Sequence, residues 1–100
     1  MNKQLTQKDI IDFLRAEKAF LNKTFGVVAM GLFGSYANGT PTQESDIDLL
    51  IEFKEPRFEH LAGLQIFLEE KFNKKIEIVR KSANLKNKLL KNIENKTIYV

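Results

Sequence analysis

A chain of 100 residues with no cysteine excludes disulfides, a thiolate zinc site and a cysteine nucleophile, and its length fits one domain rather than two. A 43% hydrophobic share with eight phenylalanines indicates a small but genuine core, while no segment reaches the roughly 20 apolar residues of a membrane span or resembles a secretory signal, so a soluble, cytoplasmic protein is expected. The net charge of +3 conceals an asymmetry: residues 1–70 hold seven Lys/Arg against eleven Asp/Glu, net −4, and residues 71–100 hold nine against two, net +7, a basic end that could face phosphate, an acidic partner or only solvent.

Thr6, followed by Gln7, Lys8 and Asp9, has the form of a helix N-cap with an acid in the first turn. Ile10, Phe13, Leu14, Phe20 and Leu21 recur along one side of a helix, which predicts about four turns ending at Phe25-Gly26. VVAMGLF, Val27 to Phe33, is a nearly continuous apolar run, the pattern of a strand covered on both faces. DIDLLIEF, Asp46 to Phe53, alternates instead. Ile47, Leu49, Ile51 and Phe53 point one way and Asp46, Asp48, Leu50 and Glu52 the other, which predicts a strand with one buried face.

After Pro56, the residues Phe58, Leu61, Leu64, Leu68 and Phe72 mark a second amphipathic helix, with Glu69, Glu70 and Lys71 on its exposed side. KIEIVR, Lys75 to Arg80, reads as a third strand. Leu85, Leu89, Leu90 and Ile93 read as one side of a last helix, and the closing TIYV as a short strand or a packed tail. The order α-β-β-α-β-α predicts an α/β (α+β) fold, a small mixed β-sheet with helices packed on it, forming a single domain over residues 1–100.

Asp46 and Asp48 are the sharpest chemical feature. Residues two apart on a strand share a face at about 6.6–6.8 Å between Cα atoms, so two carboxylates can converge on a hard cation from one side. Mg²⁺ suits such a pair, because it typically takes one or two carboxylates and leaves its other positions to water and substrate phosphates. Alone, the pair reads first as solvent-facing carboxylates at a strand start. The upstream Gly34-Ser35 raises its meaning, since a glycine directly after a buried strand lets a backbone approach a phosphate and can open a helix with free N–H groups. A return of about a dozen residues, through the turn formers Asn38-Gly39 and Thr40-Pro41, would bring Ser35 beside both acids.

Gly34-Ser35, ten residues, then Asp46-Ile47-Asp48, within GSYANG and SDIDLLI, resembles the signature of the minimal nucleotidyltransferases of the DNA polymerase β superfamily, in particular the antitoxins paired with HEPN toxins. The resemblance implies the nucleotidyltransferase fold, with two Mg²⁺ ions and ATP as substrate. It implies catalytic and metal-binding roles for Asp46 and Asp48, and for Glu77 in KIEIVR as the third acid, where the family more often has aspartate. Gly34 and Ser35 would hold the β and γ phosphates. The implied function is transfer of AMP to a tyrosine of a HEPN ribonuclease toxin, as a homodimer or in a hetero-oligomer with that toxin, without a direct nucleic-acid ligand or a membrane. Two other readings stay open: a binding-only antitoxin, in which Glu77 marks decayed chemistry, and a small-molecule nucleotidyltransferase working with a partner subunit. His60 reads as a surface or capping residue, and Tyr36 as a packed aromatic that could also stack on a base.

Overall fold

The computed structural model describes residues 5–55, 57–81, 91–93 and 95–100. Thr6 opens the first helix through a reciprocal capping box. Its Oγ accepts the Asp9 N–H at 3.1 Å, and the Asp9 carboxylate accepts the Thr6 N–H at 3.0 Å. The predicted single helix is instead two, α1 (Gln7–Ala16) and α2 (Lys18–Phe25), divided at Glu17 with φ −97° and ψ 8°. The reason lies in the packing. Leu14 and Leu21 are fully buried, but no side chain from Arg15 to Phe20 is, so nothing anchors that turn to the sheet and the chain re-aims there. Gly26, left-handed at φ 69°, then ends α2 as expected.

The remaining elements are β1 (Val27–Phe33), α3 (Gly34–Asn38), β2 (Ile47–Phe53), α4 (Phe58–Phe72), β3 (Ile76–Arg80) and β4 (Ile98–Tyr99). The sheet order is β3-β2-β1-β4, with β1 antiparallel to β2 and β4 and with β2 parallel to β3, so the sheet is mixed. β2 and β3 each begin one residue later than the sequence suggests. Their ladder starts at the buried pair Ile47 and Ile76, leaving Asp46 and Lys75 just outside it. TIYV does form a strand, β4, while Leu85, Leu89 and Leu90 lie outside the described residues and residues 91–93 are helical.

One face of the sheet carries the core. Ile10, Leu14, Leu21, Leu64 and Leu68 from the helices meet Met30, Leu32, Ile47, Leu49 and Ile51 from the strands. Phe58 does not join them and stands 78% exposed at the start of α4. Glu69, expected in solvent, instead turns to the sheet, where it accepts the Ile76 N–H at 3.0 Å and fixes the start of β3.

The opposite face is not bare, as the alternation in DIDLLIEF implied. Leu50 is only 2% exposed there, because its cross-strand partner Gly31 has no side chain and Thr97 and Tyr99 close over the gap. Adding a methyl group at Gly31 would drive it into Thr97 Cγ2, with Tyr99 at 3.2 Å. Gly31→Ala is therefore expected to cost about 1–3 kcal/mol by overpacking, measured by urea denaturation.

Candidate active site

Because β1 and β2 are antiparallel, the end of one lies beside the start of the other, and Phe33 pairs with Asp48. The chain turns immediately into α3. Gly34 adopts φ 75°, and a Cβ there would land on the Asp48 carboxylate, so the acid is seated directly against the glycine backbone. Close approach of phosphate is the role expected of this glycine; the structure adds a second, room for Asp48.

Ser35 follows as the second residue of α3, half-buried, with its carbonyl accepting the Thr40 N–H at 3.0 Å as the chain returns toward β2. The N-cap of α3 is Phe33, which supplies no side-chain hydrogen bond to the first turn. Those N–H groups therefore lack the usual side-chain acceptor, at the sheet edge that carries the acids.

On the other side of Asp48 lies β3. Parallel register sets Glu77 opposite Asp48, so both side chains share one sheet face, with Glu77 exposed on the edge strand. Asp46 stands half-buried immediately before β2. Burial pushes the Asp48 carboxyl up to about 6, helped by the charges of Glu77 and Asp46 and by a hydrogen bond with Glu77. The fold thus brings all three acids into electrostatic contact. Among the described residues, however, no three His, Cys, Asp or Glu side chains converge into a closed set of ligands. Their chemistry still fits a hard divalent cation, because the donors are all oxygen and a double positive charge would offset the burial and the repulsion that raise the Asp48 carboxyl.

Two aromatic and basic candidates are settled by burial. Tyr36 is 1% exposed within the core, so it is not free to stack on a base. His60 lies at the far end of the sheet, where its Nδ1 is buried with no hydrogen-bond partner among the described residues. There it lines a polar cleft of about 360 Å³ with Lys23, Lys54, Glu55 and Arg57.

Sequence reasoning missed two residues that shape the site. Gln7 donates to the carbonyls of Tyr36 and Ala37, both at 3.0 Å, and so caps the end of α3 from a distant helix. Lys74 donates to the carbonyls of Gln43 and Ser45, just ahead of Asp46. Neither carries a local signal, since the acceptors are main-chain oxygens that every residue possesses.

A mixed four-stranded sheet with acids on one face, beside a Gly-Ser turn into a short helix, defines a nucleotidyltransferase fold. Residues 14–100 match the nucleotidyltransferase domain, and the chain belongs to that family. It is 35% identical over 97 residues to protein adenylyltransferase MntA of Thermococcus cleftensis, covering 96% of this chain and 97% of that one. A solved chain assigned as a minimal nucleotidyltransferase superposes with a TM-score of 0.80 at 26% identity, over 97% of this chain and 98% of its own. The MntA-HpeT toxin-antitoxin structure shares the fold, with a TM-score of 0.65 at 22% identity over 97% of this chain and 72% of that one.

Proposed function

We propose that this chain is a Mg²⁺-dependent protein adenylyltransferase acting as an antitoxin, which transfers AMP from ATP to a tyrosine of a partner ribonuclease toxin of the HEPN class. The observation that carries the proposal is the seating of Asp48 between Gly34 and Glu77, at the point where β1 opens into α3. The relative named MntA and the toxin-antitoxin likeness support the choice of reaction and partner.

In this reading Asp46, Asp48 and Glu77 would hold the metal through their carboxylates. Bound there, Mg²⁺ would supply charge neutralisation of the triphosphate and a lowered pKa of the acceptor hydroxyl. Gly34 and Ser35 bind the β and γ phosphates through main-chain N–H groups and the serine hydroxyl. In this reading the protein works in the cytoplasm, where ATP is available. The exposed place of Glu77 on an edge strand favours one second reading, an antitoxin that neutralises by binding alone.

The deciding experiment incubates the chain with the product of its neighbouring gene, ATP and Mg²⁺, and weighs both proteins. A gain of one or more AMP units on the partner, absent with Asp46→Ala, is the expected result. Tight binding without a mass gain points to the second reading, and neither binding nor gain overturns both.

A further inference from the structure

Lys74 occupies the turn between α4 and β3, directly after Asn73, whose left-handed conformation at φ 52° ends α4. It is half-buried, and among the described residues the contacts of its ammonium are two carbonyls and a ring. Nζ donates to Gln43 O at 2.8 Å and to Ser45 O at 3.2 Å, and lies 5.8 Å from the centroid of the Tyr36 ring.

The segment it grips already has a local shape. Ser45 N–H donates to Thr42 O at 3.1 Å, and Thr42 N–H donates to Ser45 Oγ at 2.8 Å, which closes a small turn. That turn does not by itself fix where the loop lies against the sheet. Lys74 does so, and at a telling place: Ser45 is the residue before Asp46. Tyr36, on the other side of the ammonium, is packed in the core and has its carbonyl capped by Gln7, so it is a fixed reference. Lys74 also lies just ahead of the strand that carries Glu77. One cation thus ties the loop holding Asp46 to the helix that starts at Gly34 and to the strand that supplies the third acid.

We propose that Lys74 is a positioning residue, whose ammonium pins the 43–45 backbone against Tyr36 and so sets the Asp46 carboxylate relative to Asp48 and Glu77. The inference rests on the metal-site reading above. Supporting partners behind a metal ligand commonly change metal affinity by about 10–100-fold when removed. Lys74 would act in this way through one peptide unit.

The test uses Lys74→Met, which keeps the apolar stem, and Lys74→Arg, which keeps a cation with donors. Mn²⁺ binding is followed by the electron paramagnetic resonance of the free ion, and amide exchange is followed over residues 42–47. Lys74→Met should bind Mn²⁺ about tenfold more weakly and exchange amides of that loop about tenfold faster, with protection in β1 unchanged. Lys74→Arg should restore both to within about threefold. Equal Mn²⁺ affinity in the native chain and Lys74→Met overturns the positioning role while the metal site stands. Native exchange rates at 42–47 in Lys74→Met overturn the anchoring itself. A native chain that binds no Mn²⁺ brings down the metal-site reading, and the exchange rates then decide alone whether Lys74 holds the loop.

Discussion

Asp48→Asn should melt higher than the native chain above pH 6 while losing nucleotidyl transfer by about a hundred- to a thousandfold, the scale seen when a group that stabilises transition-state charge is removed. The stability half follows from the carboxyl held at about 6 against an ordinary 3.8. A proton is bound more tightly in the folded than in the unfolded chain, so this group favours folding below pH about 4. That contribution is lost as pH rises through about 6 and is flat above it. Taken at face value the shift is worth about 3 kcal/mol, but the group is partly exposed, and solvent screening reduces the expected effect to about 1 kcal/mol.

Asparagine keeps the shape and removes the charge, so it should recover that amount at pH 8, raising Tm by about 4–8 °C, and almost nothing at pH 4. Melts at the two pH values, paired with a transfer assay, check both halves. A lower Tm at pH 8 would show that the anion is favoured in the fold, against the electrostatic account. Retained transfer would remove Asp48 from the metal site.

The parts of this fold that were legible in the sequence are those governed by local periodicity. Val27 to Phe33 and the alternation from Ile47 to Phe53 each encode a strand in their own residues, and Leu64 and Leu68 encode the buried side of α4. Gly34, Ser35, Asp46 and Asp48 stood out because their spacing around one turn is unusual. The bend at Glu17 was not legible, because residues 15–20 contain no proline or glycine and only the missing anchor between Leu14 and Leu21 separates the two helices. The burial of Leu50 depends on its facing Gly31, a fact of register that neither residue states alone. The same holds for Glu77, which meets Asp48 only once β3 is known to run parallel to β2.

Gly34→Ala should damage stability and transfer together, and the coupling between this change and Asp48 is the informative quantity. Two costs are expected. The left-handed φ of 75° should cost an alanine about 1–2 kcal/mol whatever surrounds it. The new methyl would also occupy the place of the Asp48 carboxylate, with Asp48 Cβ at 3.1 Å, so the acid must swing away or the turn must open. Such overpacking adds about 1–3 kcal/mol in the native background. In an Asp48→Ala background the carboxylate is gone, leaving mainly the backbone cost, so the double-mutant cycle should show a coupling of about 1–2 kcal/mol. Urea denaturation of the four chains measures it. If glycine were required there only to let phosphate approach the backbone, the two substitutions would add without coupling, and Gly34→Ala would weaken nucleotide binding while leaving Asp48 in place.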